Sequence, residues 1–343
     1  MKFMKKLIII LVFITLNGAL FAQVNTEEKS NPTDTNWTIY NTKNSGLPND
    51  IIRDIEIDRA GNKWIATFGG LAKFDGKNWT VFNTKNSDIP SDTLSSIEID
   101  FNQNIWVTSL TNGFAKFDGK TWETFTPKNS PLPTKETWSI EVDNDDNVWL
   151  CTAGKGIIRI AGKDWINYNT LNSKIENNFV TGIFVDNNDN KWLTPVNSGL
   201  LLYKGNYWKV INTKNSKLPK DHIMSFYADD LGNFWLGTLP GVGLIKVADT
   251  NWIKYNEINS KIPTSGVASI TQDKKRNIWF AGFDSDMEKY MPMGLIKFDG
   301  TNFKHYHTEN SPLPTNDITV ITCEQNGNIW LGTNFEGLIL FKE

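Results

Sequence analysis

Reactive side chains are scarce in this chain of 343 residues, which has two cysteines and three histidines. It contains no phosphate-cradling glycine loop, nucleophile elbow or zinc signature. Basic charge is not in excess either. The 35 Lys and Arg face 38 Asp and Glu, whereas a nucleic-acid partner calls for a basic face. Beyond the first 22 residues no stretch is apolar enough to cross a membrane, which takes about 20 apolar residues. No helical period appears there. The two cysteines, Cys151 and Cys323, fall in different strands of two distant repeats. A disulfide needs Cα atoms within about 7 Å, so two free thiols are expected.

The N-terminus reads as a secretory signal over residues 1–22. Lys2, Lys5 and Lys6 precede an almost wholly apolar stretch at residues 7–16, and Ala22 is the small residue before an expected cut ahead of Gln23. No cysteine near Ala22 offers a lipid attachment point. Removing three lysines from the 35 basic residues leaves 32 against 38 acidic ones, a net charge of −6. Residues 23–36 are polar and read as a disordered lead-in. Residues 37–343 read as one repeat domain. The expected product is periplasmic or secreted, monomeric and without a membrane span after signal removal.

The chain is rich in tryptophan, with 14 copies, 13 of them at regular intervals. Seven copies of one repeat each carry two aromatic anchors 27 residues apart. The first anchors are Trp37, Trp79, Trp122, Trp165, Trp208, Trp252 and Phe303. The second are Trp64, Trp106, Trp149, Trp192, Trp235, Trp279 and Trp330. The period is 42 to 44 residues, with one step of 51. A fixed period of this length signals a repeat architecture.

Within the first copy, residues 37–40 alternate apolar and polar as a strand does. A turn-rich loop follows, then predicted strands at 51–58, 63–67 and 71–74. Asp75-Gly76 suits a hairpin in which both residues take positive φ. Four short antiparallel strands at this period make a propeller blade. The chain contains no Trp-Asp dipeptide, which sets the WD repeat aside. The predicted fold is all-β: a seven-bladed propeller of four-stranded antiparallel blades. The last copy lacks an outer strand, so residues 37–40 are expected to supply it and close the ring, hiding two sheet edges.

A recurring pattern, Ile-x-x-Ile-x-x-Asp-x-x-Gly-Asn-x-Trp-Ile-x-Thr-x-x-Gly-Leu, is clearest at residues 52–71, 223–244 and 318–338. It resembles the two-component regulator propeller repeat. The resemblance covers about nine tenths of the chain. It implies an exported sensor-type module, often one responding to glycans. The kinase region, second span and trailing immunoglobulin-like domain of that plan do not appear in this sequence.

An acidic residue stands six positions before each second anchor: Asp58, Asp100, Asp143, Asp186, Asp229, Asp273 and Glu324. Asn stands two before it each time. Residues 143–147 and 186–190 resemble the start of a calcium loop, but the sixth-position glycine and the bidentate Glu are missing. A turn braced by the acid is the better reading. The recurrent Asn-Ser pairs read as loop-shaping for the same reason of repetition. His305 and His307 lack a third metal ligand by spacing. No metal and no cofactor are expected.

Variation points to function. From the second anchor to the leading apolar residue of the next strand the offset is 7, 8, 8, 8, 9, 16 and 8 residues. The largest insertion, residues 282–293, lies in the sixth copy and includes Tyr290. Innermost strands also differ at their entry on the same face. Thirteen before the anchor stand Ile51, Thr93, Glu136, Phe179, His222, Gly266 and Asp317. Eleven before stand Arg53, Ser95, Trp138, Thr181, Met224, Ala268 and Thr319. Arg53, Glu136, Trp138, His222, Asp317 and Tyr290 are therefore the candidate ligand-binding residues. The leading expectation is a non-catalytic module that binds a carbohydrate or a protein on its variable-loop face. The rivals are a polysaccharide lyase or hydrolase using Glu136, Asp317 and His222 as acid–base groups, and a protein-interaction scaffold.

Overall fold

A computed structural model describes residues 36–285 and 289–343. The signal and nearly all of the lead-in, residues 23–35, lie outside the described residues.

Seven four-stranded antiparallel sheets are arranged as blades. The first blade runs outward from Ile52–Ile57 through Lys63–Thr67 and Gly70–Phe74 to Trp79–Phe82. The next five repeat this order. In the seventh, Ile318–Cys323, Asn328–Thr333 and Leu338–Lys342 are joined by Trp37–Tyr40 as the outer strand. Its register pairs Trp37 with Phe341 and Tyr40 with Leu338. The ring closes as the chain's phase requires. Thr319 Oγ1 and Thr322 Oγ1 also donate to Ile52 O and Ile55 O across that seam, at 2.7 and 2.9 Å.

Each second anchor tryptophan is buried between blades. Trp64 packs with Phe82 and Phe117, which in turn pack with Trp122, and Trp279 packs with Tyr306 and Phe341. Such ring pairs add about 0.5–1.5 kcal/mol each beyond the area they bury.

The recurring acid is a structural brace. Asp58 accepts from the backbone of Ala60 and Asn62 and from the Asn62 side chain. Its Oδ2 also accepts from Trp64 Nε1 at 3.0 Å. The same Trp-to-Asp bond recurs at Trp106, Trp149, Trp192, Trp235 and Trp279. In the seventh blade Glu324 replaces Asp. It takes Lys63, Asn326 and Asn328 instead, and Trp330 Nε1 has no partner among the described residues. The Asn-Ser pairs are loop braces. Asn44 Oδ1 accepts from Asn41 N, its amide donates to Ile39 O, and Ser45 Oγ donates to Asn41 O. Cys151 and Cys323 are both free thiols.

Two local expectations need correction. Only Gly76 of the Asp75-Gly76 pair takes positive φ, at 100°. Asp75 instead accepts from the Asn78 backbone and side chain and from the Lys77 backbone, which holds the turn and keeps its carboxyl pKa down at about 2. A single helical turn, Glu257–Ser260, occurs where only loop was expected, capped by the Asn256 side chain. Among the described residues no helix is long and apolar enough to cross a membrane.

Candidate functional site

Every innermost strand is bulged at the same place. Pairing with the second strand skips Arg53, Ser95, Trp138, Met224, Ala268 and Thr319, and skips Thr181 with Gly182 in the fourth blade. These are the residues eleven before each anchor. A bulge inserts an unpaired residue and re-aims its side chain. The ring thereby offers one re-aimed side chain per blade.

Most of these are engaged by the scaffold. Ser95 Oγ donates to Thr137 O, Thr181 Oγ1 to Thr194 O and Thr319 Oγ1 to Ile52 O. Met224 is buried in the core and Ala268 is short. Arg53 and Trp138 remain as the long side chains with part of their surface in solvent.

Arg53 belongs to a cluster drawn from three blades. Its guanidinium lies 5.8 Å over the Phe68 ring. Burial lowers its pKa, against the opposing charges of Asp317 and Asp54. Its Nε is buried with no hydrogen-bond partner among the described residues. Asp317 Oδ1 accepts from the Tyr290 hydroxyl at 3.2 Å, and Oδ2 accepts from the Asn334 amide at 2.7 Å. Burial, the Asp317 charge and that hydrogen bond all raise the Tyr290 pKa, so the phenol stays protonated and donates.

Tyr290 arrives here on the sixth-blade insertion. The insertion extends a hairpin, Ile278–Ser285 with Tyr290–Phe298, and pairs as far as Ser285 with Tyr290. Asp284 anchors it by accepting from Ser265 N at 2.5 Å and Ser265 Oγ at 2.6 Å. The Phe283 and Tyr290 rings pack 5.5 Å apart.

Trp138 has a different partner, the Phe179 ring of the next blade, at 6.1 Å. Phe179 is 49% exposed, which makes this pair an accessible aromatic surface. Glu136, two residues before Trp138, is exposed. Its carbonyl accepts from Ala153 N. His222 Nδ1 bonds Asn197 Oδ1 at 2.8 Å, and burial lowers its pKa. Its ring partner is an amide, not a carboxylate. The structure thus gathers Arg53, Asp317 and Tyr290, whereas Trp138 pairs with Phe179, His222 pairs with Asn197, and Glu136 stands exposed apart from them. His305 and His307 lie 4.8 Å apart as rings, and His305 Nε2 contacts Met293 O. Among the described residues no group of three or more His, Cys, Asp or Glu could hold a metal.

Asn334 was not singled out from the sequence, although it lies in the loop class that varies in length. Phe179 stood among the aligned entry positions; only the adjacency of blades gives it Trp138 as a partner. Concavity is also found on the tight-turn face. A cleft of about 520 Å³ there is lined by Glu56, Asp58, Tyr227, Gln272, Cys323 and Glu324, among others.

The family model for the two component regulator propeller matches residues 312–335, within the seventh blade. The chain therefore carries that repeat. No curated protein matches the chain. Among solved structures, it resembles the extracellular domain of the hybrid two component system BT3049 from B. thetaiotaomicron, at TM-score 0.72 and 21% identity. That match covers 89% of this chain and 41% of the other. It also resembles PorZ, an essential surface component of the type-IX secretion system of Porphyromonas gingivalis. There the TM-score is 0.67 and the identity 16%, covering 87% of this chain and 47% of the other. Virginiamycin B lyase from Staphylococcus aureus matches at TM-score 0.70 and 12% identity, covering 90% of this chain and 99% of the other. The chain spans about two fifths of the length of the extracellular domains it matches in such systems. At these identities the likeness is one of fold.

Proposed function

We propose that this protein is an exported, non-catalytic sensor-type propeller that binds a polar ligand, a carbohydrate first of all, on its variable-loop face. The observation that carries the reading is the Arg53 cluster. A bulge re-aims Arg53, and the longest insertion delivers Tyr290 to Asp317 beside it. An Arg, a phenol, a carboxylate and an amide together supply both donors and acceptors for hydroxyl or carboxylate groups. Trp138 and Phe179 add the exposed ring area on which a sugar face stacks. Two further facts agree with a binding role. His222 pairs with an amide, so it lacks the carboxylate that would orient it as a base. The carboxylates of the tight turns already accept protein donors.

A glycan array, followed by calorimetric titration of the best ligand, tests this. Trp138→Ala and Arg53→Met should each weaken binding by at least tenfold and leave the far-UV spectrum unchanged. Equal affinity in both variants refutes the site.

A further inference from the structure

The seam between the fourth and fifth blades is built differently from the other six. Two positions fill each seam with rings. The first is held by Tyr40, Phe82, Phe125, Tyr168, Tyr255 and Tyr306, and by Ile211 in this seam. The second faces the first anchor in register. It is Phe74, Phe117, Tyr203, Phe298 and Phe341 in five seams, Ile160 in another and Val247 here. The Ile160 seam is repaired by Phe114, whose ring packs 4.7 Å from Phe125 and 6.0 Å from Trp165. The Val247 seam has Leu200 at the place of Phe114, so both rings are missing.

The inner part of the same seam is overfilled. Phe226 replaces the isoleucine of the other six blades, and Phe234 replaces a Lys, Ile or Val. Phe184 and Phe226 wedge together at 5.1 Å, with Trp192 at 5.4 Å from Phe226 and 4.7 Å from Phe234. The innermost strands Val180–Val185 and Ile223–Ala228 do not approach each other as the other six neighbouring pairs do. A wedge inside and two absent rings outside leave a cleft of about 570 Å³ on the flank of the ring. Its size falls within the roughly 300–1,000 Å³ of small-molecule sites. Trp192, Phe234 and Trp252 form aromatic walls, and Lys209, Lys217 and Asp249 stand at the rim.

We propose that this cleft is a second binding site, separate from the variable-loop face, for a planar aromatic small molecule carrying an anionic group. The apolar walls lack ring-sized mass, and two lysines against one aspartate favour a negative substituent.

The probe is 1-anilinonaphthalene-8-sulfonate, followed by its fluorescence and by energy transfer from tryptophan. The wild type should bind one equivalent saturably. Ile211→Tyr with Val247→Phe restores the rings of the other seams. It should cut affinity at least tenfold while keeping or raising the melting temperature. If that variant misfolds, the exposed pair Lys209→Glu with Lys217→Glu takes its place, and it too should lose at least tenfold. Absence of saturable binding by the wild type, or undiminished binding by a folded variant of either kind, overturns the proposal. Trp138→Ala should bind the probe as the wild type does, which separates this site from the variable-loop face.

Discussion

Replacing Trp37 with Ala tests how the ring is held shut. Trp37 lies on the Phe341 ring at 4.0 Å and 13°, and meets Tyr306 edge-on at 6.1 Å. A fully buried Trp→Ala change costs about 3–5 kcal/mol. Trp37 is only half-buried, so roughly 2 kcal/mol applies to burial. The stacked pair contributes about 1 kcal/mol more. The sum, about 3 kcal/mol, should appear in urea unfolding as a midpoint lower by about 1 M, if m is about 3 kcal/mol/M. Trp79→Ala is the control. Trp79 stacks on Phe74 at 4.4 Å within a blade whose strands are continuous in sequence. If Trp79→Ala is destabilising but Trp37→Ala falls within about 0.5 kcal/mol of wild type, the closing strand does not carry the stability assigned to it.

Further outcomes follow from the braces and the buried ionisable groups. Trp149 donates to Asp143 at 2.8 Å whereas Trp330 Nε1 has no partner among the described residues. Trp149→Phe should therefore cost about 1–2 kcal/mol more than Trp330→Phe in denaturant titrations. Burial pushes the Asp143 and Glu324 carboxyls up, but their donors outweigh it, chiefly Trp149, Asn147 and Lys191 for one and Lys63, Asn326 and Asn328 for the other. Both pKa values end lowered. Their stabilisation is full above the unfolded values near pH 4 and lost as pH falls through the folded ones. Burial lowers His222 and His305 instead, so the unfolded chain takes up their protons first. Stability should decline gently below about pH 6.5 and steeply below about pH 4. The gentle step should vanish in His222→Gln with His305→Gln. A chelator should leave the melting temperature unchanged, because Asp143 and Asp186 already accept from side chains and backbone; a drop restored by calcium contradicts that.

The fold was legible because each blade repeats its punctuation. The 27-residue spacing fixes two aromatic positions per blade, and the chain's phase leaves one blade short. Strand bounds in the first blade differ from expectation by one residue at most. The site was legible in part. Aligned entry positions pointed to Arg53, Trp138 and Asp317, because variation against a constant background stands out. Three-dimensional adjacency did not show. That Tyr290 bonds Asp317 depends on how the hairpin insertion extends. The bulges were invisible too. They shift register without any glycine or proline to mark them at Arg53 or Trp138. The open seam had a sequence signal, Ile211 at a position aromatic in the other six copies and Val247 at one aromatic in five. It acquires meaning only beside Phe114, which shows that a similar loss elsewhere was compensated.

Hydrogen exchange of the wild-type chain with and without the glycan selected on the array tests the assigned face most directly. The account predicts protection at residues 51–54, 136–139, 289–292 and 317–319 on ligand addition. Protection confined to the tight turns around Asp58 and Asp75 would contradict it.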